Sequence, residues 1–291
     1  MTNLRRTATA LAALLLGAMV LAGPAQAARI GVLSNKLATE TAADFSAKVS
    51  GHTFTGVDLS LSVPTVASLT AAYDAILLFE DSTFANSPIV GANVAAFAQT
   101  GRAVILGTFY EQDRSDALVA NSPHGWGALE TLDPNTTDGV GTPSVPRSLD
   151  IATLMPHPLT AGLTALTSAR FAGGNQAKPG TIVVARWAQP NARGQVDPAI
   201  AFRVTGAACV IHVAIAPHYS VIPGAAGEVG GDFYRAWRNA FDFGAGGCVY
   251  NGGTVQPDPN VIPTLSGSML ALTALLLAGI AVASRRRRAR R

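Results

Sequence analysis

Apolar residues along this chain change their spacing several times, and each spacing predicts an element. Residues 29–34 form a short apolar run ending in Ser34 and Asn35, which reads as a buried strand. Over 39–49 the spacing turns helical, with Ala42, Phe45 and Val49 on one face. Residues 53–61 alternate like a strand, and 66–72 suit a short helix. The run Tyr73-Asp-Ala-Ile-Leu-Leu-Phe79 is apolar almost throughout, the pattern of a strand covered on both faces. Residues 86–100 predict a helix with Val90, Val94, Ala95 and Phe97 inward, closed by Gly101. The run 103–109 predicts the next buried strand. Strands alternating with helices imply an α/β fold, a mostly parallel sheet flanked by helices.

Regularity lapses over 111–147, which is rich in Gly, Pro, Asn and Asp and reads as an elaborated loop region or a functional insertion. Strand-like runs resume at 181–187, 199–204 and 209–216. A final helix is predicted over 233–243, with Phe233, Trp237, Ala240 and Phe241 as its apolar face. A Gly/Pro/Asp-rich linker follows at 252–259.

The two ends differ in kind from this middle. Arg5 and Arg6 precede an apolar stretch at 8–21, and Ala25-Gln26-Ala27 supplies a small-x-small site. Residues 1–27 therefore read as a signal peptide cleaved after Ala27. Residues 265–284 carry no charge, and 20 residues as a helix span a hydrocarbon core of ~30 Å. Arg285, Arg286, Arg287, Arg288, Arg290 and Arg291 follow at once. Such a cluster stays cytoplasmic, which puts the 28–250 domain outside, joined by a 251–264 linker. The expectation is an exported protein, in the periplasm or on the surface of a Gram-negative cell, with the membrane as its partner.

Charge and cysteines sharpen that picture. The formal net charge is +3, but eight of the 21 basic residues sit in the two ends and none of the 18 acidic ones does. The middle thus carries 13 basic against 18 acidic residues, a net of −5, which does not support a basic surface for nucleic acid. Cys209 and Cys248 are the two cysteines. In an oxidising compartment such a pair predicts a disulfide, closing a loop of roughly 40 residues and contributing ~3–4 kcal/mol. Two unpaired thiols or a metal site are the alternatives, and without CxxC spacing the metal signal is weak.

Ile262-Pro263-Thr264-Leu265, the apolar segment and the Arg cluster, in that order, resemble the IPTL-CTERM sorting signal of Gram-negative bacteria. That resemblance implies recognition by an exosortase-type membrane transpeptidase, although Ser268 and Met269 stand where the family usually carries Trp-Gly. The middle has a resemblance of its own. The 73–79 run and the Gly101-Arg102-Ala103-Val104-Ile105 segment resemble the core of class I glutamine amidotransferase-like, flavodoxin-like domains. His157-Pro-Leu-Thr-Ala-Gly-Leu163, a late strand ending in His218, and Arg238-Asn239-Ala240 in the last helix are similar to the ThuA-like branch of that fold. The resemblance spans roughly residues 29–244.

Catalytic members of that fold carry a Cys nucleophile on a sharp turn after the strand matched here by 103–109. This chain has Gly107-Thr-Phe-Tyr110 there, with neither cysteine nearby. Amidotransferase chemistry of that kind is therefore excluded, and no Gly-x-Ser-x-Gly elbow replaces it. Parallel strands present their carboxyl ends to ligands, and that rule singles out Glu80 and Asp81 after one strand, Tyr110, Glu111 and Asp113 after the next, and His218 after a later one. Two carboxylates with a histidine could perform general acid–base work or hold a divalent ion. The plainer reading is that such residues solvate loops and cap helices.

His212 and His218 lie too far apart along an extended strand to ligate one metal. His157, before a proline, reads as structural, and His124 with Trp126 reads as a loop anchor. No phosphate loop, dinucleotide fingerprint, HExxH or zinc-finger spacing is present, so no cofactor or metal is expected. The leading expectation is a non-catalytic binding or interaction domain at the cell envelope. A ThuA-like hydrolase or carbohydrate-active enzyme using Glu80, Asp81, Glu111 and His218, or a purely structural surface protein, are the alternatives.

Overall fold

The computed structural model describes residues 27–60, 62–81, 86–110, 125–136, 145–225 and 227–249. The predicted signal segment up to Gln26, Glu111, the motif Ile262 to Leu265, the 265–284 span and the Arg cluster lie outside the described residues. Among the described residues no helix is long and apolar enough to cross a membrane.

Three strand–helix–strand units open the fold. Strand β1 (Ala28–Ser34) leads through α1 (Ala38–Lys48) to β2 (His52–Asp58). Helix α2 (Val66–Ala72) then leads to β3 (Ala75–Leu78), and α3 (Ser87–Gln99) to β4 (Ala103–Gly107). Local chemistry sets these boundaries. The Thr65 side chain accepts the Ser68 N–H at the start of α2, and Asn86 accepts the Ile89 N–H at the start of α3, where Pro88 loses no helical bond. Gly101 ends α3 at φ +85°, a conformation that costs a residue with a Cβ. Gly91 serves packing instead: a Cβ there would lie 1.8 Å from the Trp126 carbonyl oxygen.

After β4 the chain makes a 3-10 turn (Gly127–Thr131), then β5 (Arg147–Ser148) and β6 (Leu166–Ser168). It continues through β7 (Ile182–Arg186), β8 (Pro198–Thr205), β9 (Ala208–Val213) and β10 (Val229–Gly231) to α4 (Phe233–Ala245). The main sheet has the order β2-β1-β3-β4-β9-β8-β7, and a small sheet has the order β10-β6-β5. The first five strands of the main sheet are mutually parallel. The late strands depart from that pattern, because β8 is antiparallel to β9, and β7 to β8. Only Gly206 and Ala207 separate β8 from β9, and a two-residue connection can join strands only as an antiparallel hairpin.

Alternation along the buried strands divides the core between the two faces. Ala103 and Ile105 of β4 and Ile211 and Val213 of β9 pack with Phe45 of α1 and Trp237 and Phe241 of α4. Val104 and Leu106, with Val210, pack with Leu69 of α2, Val94 and Phe97 of α3, and Trp126. The predicted apolar face of α4 is buried at all four expected positions. Burial there is worth ~25 cal/mol per Å² of apolar surface, so this face is what holds the helix in place. Cys209 of β9 and Cys248, just past α4, form a disulfide with Cα atoms 6.4 Å apart.

Candidate functional site

Reading the five parallel strands as 2-1-3-4-5, the order reverses between β1 and β3. Doubly wound sheets bind ligands in the crevice beyond the strand carboxyl ends at that switch point. Here the crevice is bounded by Ser34 at the end of β1 with Asn35 after it, and by Glu80 and Asp81 after β3. The two sides are bonded together, since the Asp81 N–H donates to Asn35 Oδ1 at 3.3 Å.

The structure brings Asp81 and His218 together. His218 Nε2 lies 3.1 Å from Asp81 Oδ2, the His218 side chain fully buried and that of Asp81 21% exposed. The strand expected to end in His218 ends instead at Val213, and His218 stands beyond it on a 3-10 turn (Pro217–Ser220). That turn folds the ring back over the sheet edge, where it stacks on Phe79 with centroids 5.0 Å apart and planes at 9°. The Tyr219 ring meets it edge-on at 4.9 Å. Glu80 enters through its backbone, its carbonyl accepting the Phe109 N–H at 3.0 Å, while its side chain is buried. Asp81 caps no helix; Asn86 does so for α3.

The turn after β4 places Thr108, Phe109 and Tyr110 at this edge, all buried. Phe109 packs with Phe171 at 5.5 Å and with Tyr219 at 6.2 Å. Gly107 lets Pro217 approach, since a Cβ there would lie 2.9 Å from Pro217 Cδ. Aromatic rings thus occupy the space beside the His218–Asp81 pair. A carboxylate on one nitrogen of an imidazole orients the ring and selects its tautomer. General-base chemistry further requires the ring to reach the proton it takes, and here the ring is enclosed.

Sequence reasoning located Asp81 and His218 by their position after apolar runs. It missed Asn35, Phe79 and Phe171, none of which stands out from its neighbours, and it missed a second polar group nearby. Tyr110 turns to the opposite face, where its hydroxyl donates to Asp133 Oδ2 at 2.9 Å. Asp133 also pairs with Lys178. His212 Nδ1 lies 2.7 Å from Asn135 Nδ2 and 3.3 Å from Asn175 Nδ2, which makes His212 part of a buried polar network. His157 is a cap: its Nδ1 accepts the Leu159 N–H at 3.1 Å.

Among the described residues no group of three or more His, Cys, Asp or Glu is placed to hold a metal ion. A depression of about 300 Å³ lies away from the switch point, lined by Arg147, Ser148, Thr167, Ser168, Gln189 and Glu228 among others. Its two charges are already neutralised, Arg147 by Asp197 and Glu228 by Arg170. We therefore place the candidate site at the switch point, where fold geometry and the Asp81–His218 contact coincide.

No protein-family model matches the chain, and no curated protein matches it. Solved structures do resemble it. Two proteins described as thua-like, from Bacteroides uniformis and Parabacteroides merdae, align at 13% and 12% identity with TM-scores of 0.45. They cover 76% and 82% of this chain, and 93% and 95% of their own. A cytoplasmic protein of Salmonella typhimurium aligns at 13% identity over 74% of this chain and 98% of its own, with a TM-score of 0.50. The chain shares that protein's fold, and at such identity the likeness is one of fold alone.

Proposed function

We propose that this chain is an exported, membrane-anchored protein of the cell envelope whose amidotransferase-like (ThuA-like) α/β domain binds or interacts rather than catalyses. One observation carries the non-catalytic part. Where that fold's catalytic members keep a nucleophile, this chain has the buried Thr108, Phe109 and Tyr110, with the Phe109 ring packed against Phe171, Tyr219 and a buried His218. A site with no thiolate and an enclosed imidazole has neither the nucleophile nor the accessible base that acyl transfer needs.

Export rests on the predicted signal peptide, the uncharged 265–284 segment and the Arg cluster, with Ile262 to Leu265 as sorting motif and an exosortase-type enzyme as processing partner. The Cys209–Cys248 disulfide supports it, because such bonds persist outside the reducing cytosol. Intact-mass analysis of protein from its native envelope tests this. We expect a chain beginning at Ala28 with both thiols oxidised, and tail cleavage reads out in the same spectrum. A full-length chain with two free thiols in the cytosol would overturn the reading.

The Asp81–His218 hydrogen bond favours a second reading, a hydrolase-like or carbohydrate-active enzyme using Asp81 and His218, with Glu80 and Glu111 as the other carboxylates. The two readings part on turnover. The binding reading expects none above buffer on a panel of aryl glycosides and aryl esters. Turnover that falls ~100-fold or more in both Asp81→Asn and His218→Ala, with the fold intact, would establish the enzyme instead.

A further inference from the structure

The main sheet has two edges of unlike character. Register sets Ile30, Ala75, Ala103 and Cys209 side by side, so the amino ends of β1, β3, β4 and β9 share one edge. The switch-point crevice lies at the other, beyond the strand carboxyl ends. Strand β8 runs the opposite way and ends at the amino edge, since Val204 pairs with Cys209. Helix α4 ends there too, because the disulfide ties Cys248 to Cys209. Val249 follows at 57% exposure, so the chain leaves the domain for the linker from this edge.

Charge divides between the same two edges. Lys48 stands at the end of α1, Arg102 just before β4, and Arg203 near the end of β8. None of the three is in an ion pair among the described residues. Arg102 donates to the Thr100 hydroxyl and the Thr70 carbonyl, and Arg203 to the Thr131 carbonyl, so both keep their charge uncompensated. The carboxylates of this edge are already matched, Asp74 by Arg29, and Asp242 by Arg238 with His52 on its other oxygen. The carboxyl edge is the reverse. Asp58 closes β2, Glu80 and Asp81 follow β3, and Glu40 lies in the first turn of α1, with Lys36 against them. Val204, 37% exposed, and Val249 add apolar surface to the amino edge.

We propose that the amino edge of the main sheet docks on an anionic phospholipid surface, with Lys48, Arg102 and Arg203 toward the headgroups and Val204 and Val249 at the interface. This docking rests on the membrane-anchored reading and deepens it, naming the face of the domain that meets lipid. Residues 250–264 reach at most ~50 Å when extended, so a domain anchored through 265–284 stays beside the bilayer. So short a tether makes docking intramolecular, and a few modest contacts are enough. Each cation near an anionic leaflet favours docking by ~5-fold. The two valines add interfacial burial. Docked this way, the domain turns its switch-point edge, with Asp81 and His218, away from the lipid.

Hydrogen exchange of the full-length protein in vesicles tests the docking, comparing phosphatidylcholine alone with a mixture carrying phosphatidylglycerol. With phosphatidylglycerol, peptides covering 46–52, 100–104 and 203–208 should gain protection, and those covering 33–37 and 78–81 should not. Salt at ~1 M should erase the gain by screening. Lys48→Gln, Arg102→Gln and Arg203→Gln together should cut the lipid-dependent protection ~100-fold. If that triple variant does not fold, Lys48→Glu alone decides. Its side chain is exposed, and the gain should fall at least ~5-fold. Equal protection in both lipids, a gain at the crevice peptides instead, or an undiminished gain in the charge variants would overturn the docking. Flotation with vesicles at ~1 M salt reads the anchor separately. Protein that floats without a gain at the edge keeps the anchor and loses the docking, and protein that does not float loses both.

Discussion

His157 shows how one residue carries a stability term that its neighbours set. Its ring lies against Phe202 and Phe243, with centroids 4.9 and 4.8 Å away, and its Nδ1 caps the turn at Leu159. Burial pulls its pKa down to about 4. An unfolded chain protonates histidine near 6.5. Between pH 6.5 and 4 the unfolded state therefore takes up a proton that the fold refuses. This contribution is full above pH 6.5 and falls as the solution is acidified. His157→Asn keeps an oxygen to accept the Leu159 N–H but cannot titrate. Its denaturation midpoint should fall less than that of wild type between pH 7 and 4.5, and equal slopes would show that His157 contributes nothing. Asp133 acts with the opposite sign, since its raised pKa stabilises the fold at acid pH and that gain is lost as pH rises through about 6. Neither environment was legible in the sequence. His157 precedes Pro158, which suggested structure, but Asp133 sits among Leu132 and Pro134 with no pattern to mark it.

Elements were far more legible, because their signals are local. The helix expected over 66–72 forms at those residues, and the one expected over 86–100 forms at Ser87–Gln99. Apolar runs produced strands wherever both faces are covered, but their ends were overread. The run 209–216 is a strand only to Val213, because Pro217 begins a turn and ring packing takes over from ladder bonds. The small sheet of β5, β6 and β10 was missed, since its strands have two or three residues and too little alternation to register. The disulfide joins two elements, β9 and the chain after α4, across 39 residues. Breaking it should cost ~4 kcal/mol by loss of chain restraint in the unfolded state. A reductant should lower the denaturant midpoint accordingly, and an unchanged midpoint would mean that the bridge is not formed in the native protein. Asn239 of α4 adds a second tie, donating to the carbonyls of Leu159 and Ala161 at 3.2 and 2.9 Å.

At the scale of the whole molecule, the sequence by itself determined what depends on near neighbours. It set the kind and approximate place of the main helices and strands, the mostly parallel α/β class, and the negative charge of the middle. Only the tertiary structure decided which strands lie side by side, that β8 and β7 complete the sheet antiparallel, and that Asp81 reaches His218 across 137 positions of sequence. The reason is physical. Periodicity records which face of an element is dry, and a buried strand reads alike whichever strand lies beside it. Pairing across the sheet, and the contacts of Asp133 with Tyr110 and Lys178, arise only when distant segments share one packed edge.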